Sequence, residues 1–253
     1  MLFLIMNITF LISSILLLVI IGITLRNMTF PITEKDYIIN TYMHIFGSIL
    51  MIVVMSSFFD ETKLVETSMT ANRLIAIILL TFLSITAIVL TDTKNYFVKY
   101  AALFIFLLTI SVPTYHIYKA AKESKILYMV LISLGIIVLS LSFIAYTQPL
   151  DIFNEWYPYL FIGLTSLVVI QLLDIIFTDT VETRDKIYGW LSIILFSGWI
   201  MYDTNKIRQI AKIVVSKCQN KSQIGCVDYV SDSMSMFLDI LNVFSSLVRI
   251  LRN

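Results

Sequence analysis

Long apolar stretches separated by short polar connectors run along the whole chain. A helix that spans a membrane needs about 20 mostly apolar residues. Eight stretches reach or nearly reach that length: residues 2–25, 37–59, 73–91, 96–118, 126–147, 157–178, 187–212 and 229–251. Because most of the connectors are only a few residues long, successive helices are expected to run antiparallel in one bundle. The pattern therefore predicts an all-α, multi-pass integral membrane protein.

The first stretch, residues 2–25, has two interpretations. A cleaved signal peptide would carry basic residues before its apolar run, whereas the charge here, Arg26, follows the run. That placement favours a retained helix whose C-terminal end faces the cytosol. We therefore divide the chain into an N-terminal hydrophobic anchor with a short linker, residues 1–36, and a seven-helix transmembrane domain, residues 37–253.

The last stretch, residues 229–251, carries polar residues at helical spacing. Six of them recur at intervals of 3, 4, 3, 4 and 3 and so share one face of a helix: Asp232, Ser235, Asp239, Asn242, Ser246 and Arg249. A helix lying flat on a membrane usually shows Lys and Arg across a broad polar face. The narrow stripe with two acids fits better with a helix enclosed by others, its stripe facing an internal cavity.

Asp239 in this stripe and Asp203 in the preceding stretch are the acids that most need a partner. A carboxylate inside a membrane costs roughly 2.5–3.5 kcal/mol on insertion scales, so it is a candidate for function. Antiparallel packing can bring the two together, and two close carboxylates in a medium of low dielectric constant cannot both ionise without a large free-energy cost. They could form a proton-sensitive latch, which holds when protonated and parts when both acids ionise. They could equally form a permanent polar tie, worth about 0.6–2 kcal/mol.

Other polar residues in the apolar stretches are less informative. Asp174 could extend the polar pathway, or it could lie near the membrane boundary, since Asp179 follows within five residues. His44 and His116 are isolated on different stretches, so the sequence predicts no stable metal site.

Composition and charge narrow the class of protein. The chain is 58% hydrophobic and 14% charged, whereas soluble domains have about 45–50% apolar and about 25% charged residues. A net charge of +1 provides no basic surface for nucleic acid. The lipid bilayer is therefore an expected partner, nucleic acid is not, and no cofactor is expected.

The loop after residue 206 bears on orientation. It contains several basic residues and no acid, which places it in the cytosol: Lys206, Arg208, Lys212, Lys217 and Lys221. Cys218 and Cys226 would then lie on the reducing side and are expected to stay thiols.

Two membrane aspartates also occur in intramembrane aspartyl proteases. That class needs Gly-x-Gly-Asp at its second acid, whereas Asp239 follows Met-Phe-Leu, so the chain is not expected to be an enzyme. A retinal-binding protein is disfavoured, because no lysine lies in the middle of residues 229–251.

The segments around the two aspartates resemble a known family. The first reads Phe196-Ser-Gly-Trp-Ile-Met-Tyr-Asp203-Thr-Asn205, and the second reads Ser235-Met-Phe-Leu-Asp239-Ile-Leu-Asn242-Val-Phe244 followed by Leu247-Val-Arg249. These phrases are similar to the sixth and seventh helices of the Bax inhibitor-1 family, also called the transmembrane Bax inhibitor motif family. The clear match covers residues 188–251.

The resemblance implies a seven-helix bundle with the last helix at its centre, here with one extra N-terminal hydrophobic helix. Family members act as pH-sensitive calcium leak pathways in the endoplasmic reticulum, Golgi or bacterial inner membrane, and eukaryotic members suppress cell death. Their di-aspartyl pH sensor falls by motif on Asp203 and Asp239. Calcium is then the transported ion, transiently near these acids, and cell-death regulatory membrane proteins are possible partners. A non-conducting scaffold that restrains death-promoting partners by contact is the alternative.

The sequence departs from the family pattern at three places. Residues 2–25 precede the seven family-like stretches, and the connector between Asp203 and Asp239 is longer than in compact members. Members can also place an arginine near the end of the second helix, where this chain offers only Lys94. Lys94 is therefore an accessory candidate. Asp174, which could extend the polar pathway, is a second one.

Overall fold

The computed structural model describes residues 33–63, 65, 70–177, 182–218 and 226–252. These ranges hold seven α-helices and no strand, which confirms the all-α class. The predicted anchor at residues 2–25 lies outside the described residues. The helices are α1 (Glu34–Thr62), α2 (Ala71–Leu90), α3 (Tyr96–Glu123), α4 (Leu127–Thr147), α5 (Trp156–Phe177), α6 (Glu182–Cys218) and α7 (Tyr229–Leu251).

The helix bounds follow the predicted apolar stretches closely, with one difference at α6. The predicted stretch 187–212 is longer in the structure, where α6 runs from Glu182 to Cys218. The basic segment from Lys206 onward, treated as a loop when the chain was oriented, is helical as far as Cys218, since it contains no glycine or proline to end the helix. By length and composition, six of the described helices could cross a membrane, and α6 is not among them. Its apolar run is interrupted by polar and amphipathic side chains, including Trp199, Tyr202 and Asp203.

The sequence also explains where α1 begins and ends. The Thr33 hydroxyl accepts a hydrogen bond from the Asp36 backbone N–H, and the Asp36 carboxylate accepts one from the Thr33 N–H, each at 3.2 Å. This reciprocal pair is a capping box, which satisfies backbone donors that a helix start leaves free. At the other end, Lys63 has a left-handed backbone with φ of 52°, so α1 stops at Thr62.

Burial separates the six membrane-span candidates into two groups. In their most apolar windows, half or more of the residues of α1, α3 and α7 are buried (50, 50 and 56%), against 11, 11 and 6% in α2, α4 and α5. The second group therefore presents large apolar side chains outward, as expected where lipid is the solvent. Among the six, α7 is the most buried, in agreement with its interpretation as an enclosed helix.

Contacts divide the chain into two compact units. The first comprises Met1–Lys119 and Ile210–Met234, and the second comprises Ala120–Gln209 and Ser235–Asn253. Helices α6 and α7 each contribute residues to both units. Asp203 and Asp239 belong to the second unit.

Glycines bring helices close together in the second unit. A Cβ built at Gly189 of α6 would lie 2.7 Å from Ile250 Cγ1 and 3.2 Å from the Ser246 carbonyl oxygen, both on α7. A Cβ at Gly198 of α6 would lie 2.7 Å from Leu160 of α5. Small residues at such positions let helix backbones approach closely in membranes. The sequence therefore fixes α6 against both α5 and α7.

Cys218 and Cys226 form a disulfide in the first unit, so the prediction of free thiols was wrong. That prediction used only the redox state of the expected compartment. The structure ends α6 at Cys218 and begins α7 at Tyr229, and this return brings the two Cα atoms to 6.2 Å, a usual spacing for a disulfide.

We expect Gly189→Ala to lower stability, because overpacking a close contact costs about 1–3 kcal/mol. Gly135→Ala is the matched control, since no atom lies within 4 Å of a Cβ built at Gly135 in α4. Thermal unfolding in detergent, followed by tryptophan fluorescence, should give a lower midpoint for Gly189→Ala. Gly135→Ala should match or exceed the wild type. Equal midpoints for both variants would contradict the close packing of α6 on α7.

The disulfide predicts a specific labelling pattern. Alkylation of the denatured, unreduced protein should add no mass, and alkylation after treatment with a dithiol should add two groups, at Cys218 and Cys226. Labelling of either cysteine without reduction, seen by intact mass spectrometry, would count against the bond.

Candidate functional site

Asp203 and Asp239 meet in the second unit. Asp203 lies on α6 and Asp239 on α7, with only 2% and 8% of these residues exposed. Their carboxyl groups lie within hydrogen-bonding range of each other, and the Ser235 hydroxyl, one turn before Asp239, hydrogen-bonds to Asp203. The two acids that were singled out in the sequence are thus brought together.

If both acids were ionised, the contact between their carboxyl groups would lack a hydrogen-bond donor. Among the described residues, Oδ2 of Asp203 and Oδ2 of Asp239 are buried and have no hydrogen-bond partner. Two ionised carboxylates only accept hydrogen bonds, so neither can donate to the other. A single proton shared by two such carboxyl groups would supply the missing donor.

Side chains after Asp203 hold this part of α6 in place. Arg208 Nη1 donates to the carbonyl oxygens of Ala145 at 3.1 Å and Gln148 at 2.9 Å, at the C-terminal end of α4. Gln209 Nε2 donates to the Leu150 carbonyl oxygen at 2.6 Å. Arginine at a helix C-terminus satisfies its free carbonyl groups and complements its dipole. The sequence analysis read Arg208 only as a loop charge, whereas the structure gives it a positioning role.

Charge near the pair also comes from α6. Lys206, three residues after Asp203, is exposed, and its charge acts on Asp203. The sequence analysis used Lys206 only to orient the chain.

A cavity of about 450 Å³ adjoins the aspartate pair. Helices α5, α6 and α7 of the second unit contribute its lining: Leu164, Leu167, Val168, Gln171, Ser192, Phe196, Trp199, Ser235, Leu238, Asp239, Asn242, Ser245, Ser246 and Arg249. Five members of the predicted polar stripe are in this set. The sixth, Asp232, belongs to the first unit, where it accepts a hydrogen bond from the Tyr37 hydroxyl.

Part of the stripe hydrogen-bonds to its own helix. Asn242 Nδ2 donates to the Leu238 carbonyl oxygen at 2.9 Å, and Ser246 Oγ donates to the Asn242 carbonyl oxygen at 2.7 Å. The two charged side chains of the cavity lining, Asp239 and Arg249, are ten positions apart on α7.

The first unit holds a buried polar network that sequence reasoning missed. Nδ1 of His44 lies 2.8 Å from the Asn40 carbonyl oxygen, and Nε2 lies 2.5 Å from the Tyr100 hydroxyl. Because a carbonyl oxygen only accepts, Nδ1 carries the proton and Nε2 accepts from Tyr100. Asn40 Nδ2 in turn donates to the Tyr229 hydroxyl at 3.2 Å. These contacts give His44 a structural role that joins α1, α3 and α7.

An ion pair fixes the start of α7 in the same unit. Lys99, 4% exposed, pairs with one carboxylate oxygen of Asp228. The other oxygen accepts from the Ser231 N–H at 3.2 Å, as a helix N-cap does. Sequence spacing gave no sign of this pair, because its members are 129 residues apart.

Of the two accessory candidates, only Lys94 has a described side chain. Asp174 has its backbone in α5, and its side chain is outside the described part of the structure. Lys94 is exposed in the connector between α2 and α3, in the first unit, where its backbone N–H donates to Asp92 at 3.0 Å. That hydrogen bond lowers the pKa of the exposed Asp92 carboxyl. Among the described residues, no group of three or more His, Cys, Asp or Glu side chains could hold a metal ion.

Comparison with known proteins identifies the family of the chain. A family model described as inhibitor of apoptosis-promoting Bax1 matches residues 34–253. The chain belongs to the Bax inhibitor-1 family. The match covers all seven described helices and confirms the family resemblance of the two aspartate segments.

Proteins of a plant and of a bacterium are similar to this chain. The chain is 31% identical over 136 residues to Protein LIFEGUARD 4 of Arabidopsis thaliana, across 53% of the chain and 49% of the relative. It is 32% identical over 136 residues to Protein LIFEGUARD 3 of the same plant, across 53% and 49%. An uncharacterized membrane protein of Vibrio cholerae is 30% identical over 140 residues, 55% of each chain. The chain spans about half the length of the curated relatives it matches.

We expect Lys99→Met to destabilise the protein, because it leaves the Asp228 carboxylate without its cation. Removing one partner of a buried pair costs about 3–5 kcal/mol, and the 24% exposure of Asp228 reduces this cost. Thermal unfolding in detergent should show a lower midpoint for Lys99→Met than for the exposed control, Lys94→Met. Adding Asp228→Asn to Lys99→Met should recover part of the loss. Strict additivity of the two changes would exclude a direct pairing.

Proposed function

We propose that the protein is a pH-sensitive cation leak channel of an intracellular membrane, with calcium as the transported ion. By lowering stored calcium it would suppress cell death. The observation that carries this proposal is the buried contact between Asp203 and Asp239 beside a cavity with a polar wall.

The chemistry of the cavity suits a cation. Asp239 supplies carboxylate oxygen to the lining, and carboxylates are the hard ligands that calcium prefers. A stable calcium site takes about six to eight oxygen ligands, more than one carboxyl pair can offer. The contact of calcium with Asp203 and Asp239 is therefore transient, as conduction requires.

Protonation of the pair provides the gate. With one proton between them, the carboxyl groups hydrogen-bond and hold α6 to α7. When both groups are ionised, they repel each other, and their burial strengthens the repulsion. The leak is therefore low in acid and rises as pH increases through the range in which the pair loses its proton.

The role in cell death is supported by the family. The matching family model is described as an inhibitor of apoptosis-promoting Bax1. Cell-death regulatory membrane proteins are accordingly proposed partners, and the endoplasmic reticulum or Golgi membrane is the proposed location. A leak that drains calcium from such a store links the geometry of the site to that role.

The proposal is tested in calcium-loaded liposomes that contain the purified protein. The wild type should leak more calcium as pH rises. Asp203→Asn and Asp239→Asn should each hold the leak near its acid level at every pH, since an asparagine can hydrogen-bond to the remaining acid but cannot ionise. Asp151→Asn is the control, because Asp151 is exposed in the connector after α4. It should keep the wild-type pH profile.

Two results would contradict parts of the proposal. Calcium flux with an unchanged pH profile in both variants would exclude the aspartate pair as the gate. No flux at any pH would exclude the channel and leave a non-conducting scaffold that restrains death-promoting proteins by contact.

A further inference from the structure

Arg249 is a charged residue of the cavity lining that has no role in the proposed leak. It lies in the last turn of α7, is exposed, and lines the same cavity as Asp239. It makes no hydrogen bond or ion pair with any residue in the described part of the chain. An arginine near the end of a membrane helix lies close to the level of the lipid headgroups. A guanidinium there offers a planar set of donors that matches phosphate.

Most of the lining that α5 contributes is apolar, while Gln171 of α5 and Ser192 of α6 add polar side chains. Leu164, Leu167 and Val168 of α5 form one wall, and Val168 is 47% exposed. On α7 the side-chain donors of Asn242 and Ser246 are already bonded to their own helix. The separation of ten positions between Asp239 and Arg249 corresponds to about 15 Å along α7. A ligand that fits this lining has an anionic head and an apolar chain.

We propose that this cavity binds one anionic phospholipid of the surrounding bilayer, with its phosphate at Arg249 and an acyl chain along Leu164 and Val168.

The bilayer is the source that the structure favours. Only 6% of the most apolar window of α5 is buried, so the helix that forms the apolar wall also faces lipid. A phospholipid can therefore enter from the side without crossing water. Basic pockets between membrane helices are known to take lipid headgroups. The cavity volume of about 450 Å³ suits part of one acyl chain together with its headgroup contact rather than several lipids.

The alternative to a specific lipid site is that Arg249 only extends its guanidinium to water at the membrane surface, as arginines near helix ends often do. Arg252 provides the matched control for that behaviour. It is also exposed at the C-terminal end of the chain but does not line the cavity. A specific lipid site depends on Arg249 and not on Arg252, whereas general attraction to an anionic surface depends on both.

The test uses the full chain in phosphatidylcholine nanodiscs that contain a minor fraction of phosphatidylglycerol with a photoreactive acyl chain. Cross-linked residues are mapped by peptide mass spectrometry, without any ion gradient, so the result does not depend on the proposed leak. We expect cross-links at the lining residues of α5 and α7. Arg249→Gln should reduce them about tenfold or more, the loss of one charge-assisted contact. Arg249→Lys should reduce them less, and Arg252→Gln should leave them unchanged.

Folding is checked on the same samples by thermal unfolding, so that a loss of cross-links is compared only between folded variants. Equal labelling of wild type and Arg249→Gln would overturn the proposal. So would equal labelling by phosphatidylcholine with the same photoreactive chain, which would indicate ordinary boundary lipid. Preferential labelling by a photoreactive free fatty acid would also overturn it, because the anion would then be a carboxylate.

Discussion

The contact between two buried carboxyl groups is the constraint on which the rest of the second unit depends. Asp203 and Asp239 come from different helices and meet where little of either residue is exposed. Two ionised carboxylates in such a place repel strongly, and one shared proton turns the same contact into a hydrogen bond. In the proposed function, the state of this one proton decides whether the contact holds α6 and α7 together or pushes them apart.

Residues around the aspartate pair fix the position of α6, which carries Asp203, against α7 and α4. Gly189 lets α6 approach α7, and Arg208 ties the polar end of α6 to the end of α4. The cavity lining includes Asp239 near the middle of the stripe and Arg249 at its C-terminal end. Asp239, one member of the proposed proton-sensitive pair, and Arg249, whose guanidinium suits phosphate, thus line the same cavity. In our account, protons act at the first of these groups and the bilayer acts at the second.

Hydropathy predicted the helices well, because a helix that crosses a bilayer must be apolar over about the thickness of the hydrocarbon core. The polar stripe was predictable for a related reason, since a period of 3.6 residues shows which side chains share a face. Contacts between distant segments leave no such local signal. The Lys99–Asp228 pair, the His44–Tyr100 hydrogen bond and the Cys218–Cys226 disulfide depend on how helix ends meet, so they emerged only in the structure.

The central claim is that Asp203 and Asp239 hold a proton between them. Infrared difference spectroscopy of protein carrying ¹³C-labelled aspartate measures this directly, through the C=O stretch of a protonated carboxyl group. The account predicts such a band at neutral pH in the wild type, lost at higher pH and absent from the double variant Asp203→Asn/Asp239→Asn. A spectrum that shows only ionised aspartate at neutral pH, or a band that persists in the double variant, would contradict it.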